Sequence, residues 1–180
     1  LGGEVQQPAP LEVGVFPHQV RARLDNRLVI LVTRGNHAGK DKPEDPGALK
    51  VFKYDNGLLK DEVSIAPNGG FGFGARHCDF HPAAPWLFVS IERQNQMIVF
   101  RREGDAIRPE PVCARDTLQK SNPLKYPYQM AGAVHVHPKG HVVYGVNRAF
   151  KTSTVNGREV LAGGENTMVV YKIDQATGEI

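Results

Sequence analysis

Cysteine is nearly absent: Cys78 and Cys113 are the only two in 180 residues. They are widely spaced and neither belongs to a C-x-x-C pair, which excludes a disulfide framework or a paired-thiol metal knuckle. Both are expected to serve as small apolar side chains within or beside strands, compatible with a reducing compartment without demanding one. No run of about 18 apolar residues occurs, so no membrane-spanning helix is expected. The net charge of +3 is mild and scattered. With no basic block and no aromatic-basic ladder, nucleic acid is not an expected partner. Helical 3.6-residue periodicity is missing from every useful window. The N-terminal LGGEVQQPAP has neither a charged n-region nor an apolar h-region, so a signal peptide is not expected. It also lacks an initiating methionine, so the chain is expected to have been trimmed or to begin inside a longer protein. A cytoplasmic location is expected, with a periplasmic one left open.

What is present is the composition of a soluble globular protein, 41% hydrophobic and 23% charged. One segment recurs three times: HQVRARLDNRLVILVTR (18–34), HCDFHPAAPWLFVSIER (77–93) and AVHVHPKGHVVYGVNR (133–148). Each copy is a short alternating strand, a polar or proline-containing turn, and an apolar β-rich strand ending on arginine. A third strand follows each: ALKVFKY (48–54), QMIVFRR (96–102) and TMVVYKI (167–173). Turn signals come next, and KDEVSIA (60–66) and RPEPVCA (108–114) are weaker candidates for fourth strands.

Four short antiparallel strands repeating at about 57 residues describe the blade of a β-propeller. The predicted fold is therefore all-β, with blade repeats at about 11–66, 70–114 and 131–180 in one partial propeller domain spanning 1–180. Three blades do not close a ring. The chain is expected to supply roughly half of a seven-bladed ring, the rest coming from a missing segment, a second chain or a homo-oligomer. Two long polar segments, GNHAGKDKPEDPG (35–47) and AFKTSTVNGREVLAGGEN (149–166), follow second strands and are expected to be surface loops at the rim.

Antiparallel order places the start of a first strand and the end of a second strand on one face. His18 with Thr33-Arg34, His77 with Glu92-Arg93, and Ala133 with Asn147-Arg148 should therefore share one rim near the propeller axis. The recurring arginines have a structural alternative, bracing one blade against the next, and His77 has another, capping a turn. His81 and His137, each before proline, are expected to be turn residues. His135 and His137 share a strand face, but no convergent third and fourth ligand shows zinc-like spacing, so no metal or other cofactor is expected.

The run GGFGFGARHCDFHP (69–82) nearly fits a dinucleotide fingerprint, which must follow a strand and open a helix. Here RHCDFHP alternates like a strand and stops at a proline. The glycines are better suited to turning the backbone sharply between blades.

GFGARHCDFHP followed by LFVSIERQNQMIVF resembles the GPRH, FHP and NE motifs of the seven-bladed propeller lactonases, a family that includes 6-phosphogluconolactonases and carboxymuconate-lactonizing enzymes. FPHQV (16–20) resembles its PHSV segment, and AVHVHPKGHVVYGVNRA (133–149) its AAEI and NR segments. The resemblance covers about residues 11–175. It implies catalytic roles for His18, Arg76, Glu92 and Arg148; the shared rim adds His77, Arg34, Arg93 and Asn147 as expected substrate contacts. Ala75 replaces the proline of GPRH, Gln19 the serine of PHSV, and Ala133 the glutamate of AAEI.

The implied activity is hydrolysis of a sugar-acid lactone such as 6-phosphogluconolactone. Arginines would clamp the substrate anion, and Glu92 or His18 would act in acid-base chemistry. A muconate-type lactonizing reaction and a non-catalytic binding propeller are the alternatives. The expected ligand is a small lactone or organic acid.

Overall fold

The computed structural model describes residues 10–119 and 121–180. Among the described residues thirteen strands form, with a 3-10 turn at Pro67–Gly70 as the helical element. The first blade is β1 (Pro17–Ala22), β2 (Leu28–Thr33), β3 (Ala48–Asp55) and β4 (Leu58–Ile65), paired in that order. The second is β5 (Ala75–Phe80), β6 (Trp86–Ile91), β7 (Gln96–Glu103) and β8 (Ala106–Asp116), again in order. The third sheet orders β13 (Met168–Lys172), β10 (Val142–Ala149) and β9 (Gln129–Val136). All ladders are antiparallel. The all-β propeller architecture inferred from the repeat is the architecture observed. The strands expected at 60–66 and 108–114 are β4 and β8.

Burial explains the composition of each second strand. In β6, Leu87, Val89 and Ile91 pack towards the first blade and Trp86 and Phe88 towards the third, so every position is buried. A strand covered on both faces needs a continuous apolar run, and WLFVSI supplies it. In β10 only alternate residues are buried, because within this chain only one of its faces is covered. Between the first two blades, Ile30, Val51, Leu87 and the fully buried Phe100 form one core cluster. Replacing Phe100 with alanine is expected to lower unfolding free energy by about 3–5 kcal/mol, read as an earlier denaturant midpoint, with Phe100→Leu much milder.

The segment 149–166 is more ordered than expected. It contains the hairpin β11 (Thr152–Val155) and β12 (Arg158–Leu161). Asn156 and Gly157 both take positive φ, 51° and 75°, the pattern of a two-residue hairpin turn that Asn-Gly favours. The glycine run is the turn from β4 into β5. Gly70, at φ 87°, lies so close to the Gly47 carbonyl that an added Cβ would sit 2.4 Å from its oxygen.

His81 behaves as a turn residue. Its Nδ1 accepts hydrogen bonds from the backbone N–H groups of Ala83 and Ala84, leaving Nε2–H to donate to the Gly140 carbonyl at 2.9 Å. Cys78 is buried within β5, which pushes its thiol pKa far up, and Cys113 is half-buried in β8. No helix among the described residues is long and apolar enough to cross a membrane.

Candidate active site

The inner strands β1, β5 and β9 lie side by side. All three carry a bulge towards the same end, the pairing of β9 with β10 slipping between Gly145 and Asn147. The pairing of β1 with β2 slips between Pro17 and Gln19, and that of β5 with β6 between Ala75 and His77. In β1 and β5 the extra residues are His18 and Arg76. A bulge inserts one unpaired residue and re-aims its side chain, which turns both groups towards the rim where second strands end.

Glu92, directly after β6 and only 3% exposed, is the centre of that rim. Three arginines from three blades surround its carboxylate. Arg34 Nη1 donates to Oε1 at 2.8 Å. Arg148 Nη2 donates to Oε2 at 2.8 Å and also to the Ala131 carbonyl at 2.7 Å. Arg76 Nε lies 2.8 Å from Oε2 as an ion pair, although its N–H is not aligned for a hydrogen bond. The cluster therefore holds three cations against one anion. Burial alone would raise the Glu92 carboxyl pKa, but hydrogen bonds and charge from Arg148 and Arg34 outweigh it and hold the group below its ordinary value. Burial and the neighbouring Arg148 charge lower the Arg76 pKa, yet a guanidinium remains protonated throughout the working range.

Beside this cluster stand two histidines. The rings of His18 and His77 meet edge to face, 5.0 Å between centroids. Arg76 Nη1 lies 3.2 Å from His77 Nε2 and donates to it when that nitrogen is unprotonated. Desolvation and the Arg76 charge push His77 down to about 4 and move His18 in the same direction. Both rings are thus neutral at pH 7. His18 Nδ1 is buried with no hydrogen-bond partner, as are Arg76 Nε and Arg148 Nε.

His18, Arg76, Glu92, Arg148, Arg34 and His77 therefore gather in one place. Arg93 and Asn147 do not join them. Arg93, its side chain 2% exposed, turns outwards to Glu44 at 2.7 Å and to the Arg34 carbonyl at 2.8 Å. Its guanidinium is already engaged with protein partners. Asn147 is buried between Thr117 and Thr167, donating to the Thr117 carbonyl and accepting from the Thr117 hydroxyl. Strand alternation sends it to the opposite side of β10 from Arg148.

Sequence reasoning also missed Gln129, a fully buried amide at the start of β9 that binds the Arg148 carbonyl. Nothing in its sequence neighbourhood marks it. Among the described residues no three His, Cys, Asp or Glu side chains are placed to hold a metal ion.

Comparison with known proteins matches the chain to a family. Residues 14–180 fit the family described as Lactonase, 7-bladed beta-propeller. The chain is 25% identical, over 94% of its length and 48% of the relative's, to a 6-phosphogluconolactonase of Bacillus subtilis. Among solved structures it resembles a periplasmic gluconolactonase of Pseudomonas aeruginosa, with TM-score 0.61, 19% identity, and coverage of 91% of this chain and 38% of that one. It also resembles a Lactobacillus plantarum protein, with TM-score 0.53, 17% identity and coverage of 91% and 52%. The two structural likenesses show the fold alone, and the chain spans about half the length of the curated relative it matches. The propeller blades agree with the family model that fits residues 14–180, and together they lead to one conclusion: this chain belongs to the seven-bladed β-propeller lactonase family.

Proposed function

We propose that the rim cluster is the catalytic centre of a sugar-lactone hydrolase. One observation carries this reading: three arginines from three blades converge on one buried carboxylate, with two neutral histidines beside them. Three guanidinium groups against one carboxylate leave an excess of positive charge, suited to an anionic sugar-acid lactone. The family names of the relatives support a lactone as that substrate.

Each group has a role that its surroundings favour. Glu92, held ionised by arginines, is a poor proton acceptor and a good organiser: it fixes the guanidinium groups that face the ligand. The N–H groups of Arg76 and Arg148 not spent on Glu92 bind the substrate's anionic group and the oxyanion that forms at the lactone carbonyl. His18, neutral and beside the arginine cluster, takes a proton from water as that water attacks the carbonyl carbon. The ring C–O bond then breaks, and the leaving alkoxide takes the proton back from the imidazolium. The product is an open hydroxy acid. His77 accepts a hydrogen bond from Arg76 and positions it.

The test is a panel of phosphorylated, carboxylated and neutral sugar lactones presented to the intact protein. Hydrolysis of an anionic lactone well above the spontaneous rate supports the reading, and background rates on every lactone reject it.

A pH prediction follows from the histidines. Both are shifted below the ordinary 6.5, so the active neutral form persists as pH falls through 6.5. The acidic limb of kcat/KM is expected below pH 6.5, and His18→Gln should abolish the limb together with most activity. A limb at or above 6.5 in the native protein would contradict neutral, desolvated histidines.

A further inference from the structure

Two buried polar side chains outside the cluster do the same job on opposite sides of it. Arg93 donates to the backbone carbonyl of Arg34 at 2.8 Å and pairs with Glu44 at 2.7 Å. Glu44 belongs to the rim segment 35–47 that begins immediately after Arg34, and the same carboxylate accepts the Gly72 N–H at 2.8 Å. Gly74 leaves room for this arginine, since an added Cβ would lie 2.6 Å from its Nε.

Across the cluster, Gln129 Nε2 donates to the Arg148 carbonyl at 3.1 Å and to the Glu165 carbonyl at 2.9 Å. Its Oε1 accepts from the Glu165 N–H at 2.7 Å and from Asn122 at 3.2 Å. Glu165 closes the rim segment 149–166 that begins immediately after Arg148. All the donors and lone pairs of this amide are used. In both places a buried side chain grips the carbonyl of a Glu92-binding arginine and ties it to the rim segment that follows.

We propose that Arg93 and Gln129 are a matched pair of positioning residues. Each sets the backbone of one arginine, Arg34 or Arg148, and couples that arginine to the order of its own rim segment. Movement of segment 35–47 therefore acts on Arg34, and movement of segment 149–166 acts on Arg148. The kinetic part of this inference rests on the lactone-opening reading above; the coupling part does not.

The experiment compares Arg93→Lys and Gln129→Met with the native intact protein. The direct readout is the arginine Nε–H NMR signals, with hydrogen exchange of both rim segments. Arg93→Lys should shift the Arg34 signal and speed exchange in 35–47, leaving Arg148 and 149–166 unchanged. Gln129→Met should do the reverse. If either variant folds poorly, Glu44→Ala, at the half-buried end of the first tie, should loosen 35–47 and shift the Arg34 signal. In steady-state assays kcat/KM should fall about 10- to 100-fold, mainly in kcat. Both segments loosening together in either variant, or arginine signals that stay fixed while a segment loosens, overturns the coupling. Unchanged kinetics beside shifted arginine signals overturns the catalytic part alone. A native protein that opens no lactone refutes the reading of the site and leaves the coupling to the NMR result.

Discussion

Arg76→Ala is expected to lower kcat/KM for lactone hydrolysis by about 10²–10³-fold, the loss typical of removing one preorganised oxyanion donor. Arg76 is the residue a bulge throws out of β5. It contacts Glu92 on one side and His77 on the other, so its removal disturbs both the carboxylate and the histidine pair. Folding should suffer less than activity, because Glu92 keeps its hydrogen bonds from Arg34 and Arg148. Arg76→Lys should recover only part of the rate, since an ammonium is a point charge without the planar fork. Steady-state kinetics and a denaturation curve on the same sample separate the two effects. Native rates across several lactones with Arg76→Ala would remove this residue from the mechanism.

Glu92→Ala is the change expected to damage the molecule most. Removing one partner of a buried ion pair leaves uncompensated charge and costs about 3–5 kcal/mol, and here three guanidinium groups lose their shared anion at once. Activity should vanish along with the stability, since the arginines then repel one another and lose their fixed geometry. Glu92→Gln keeps the shape and one acceptor oxygen, so it should fold better and still be severely impaired. Its pH behaviour follows from the lowered carboxyl pKa. The folded value lies below the unfolded one, so this stabilisation is complete above the ordinary carboxylate range. It is lost as pH falls through the folded value. Acid unfolding curves should therefore converge for native and Glu92→Gln proteins at low pH and separate near neutrality.

The fold was legible because a repeat multiplies weak evidence. One strand-turn-strand segment is ambiguous, but three in register, ending on Arg34, Arg93 and Arg148, leave few architectures. The same regularity hides a difference at the site. Equivalent arginines look alike in the sequence, yet Arg34 and Arg148 turn to Glu92 while Arg93 turns to Glu44. The difference arises because the second blade carries Glu92 where the others carry Thr33 and Asn147, and the rim segment brings in a carboxylate from 28 positions before the Gly72 it also binds. Asn147 looked accessible next to Arg148, but strand alternation decides that it faces Thr117. The bulges at His18 and Arg76 were not visible either, since they depend on the pairing between strands rather than on either strand alone. The Asn156-Gly157 hairpin was visible in principle, as Asn-Gly between β-forming residues is a strong turn signal.

The central claim is that one cluster, built on Glu92 by three blades, binds and opens an anionic lactone. A crystal structure of the intact protein with the corresponding hydroxy acid bound tests it most directly. The product's anionic group should lie against Arg76 and Arg148, with its new carboxylate within hydrogen-bond reach of His18. A product seated instead at the opposite end of the inner strands, beside Arg21 and Asp79, would contradict it.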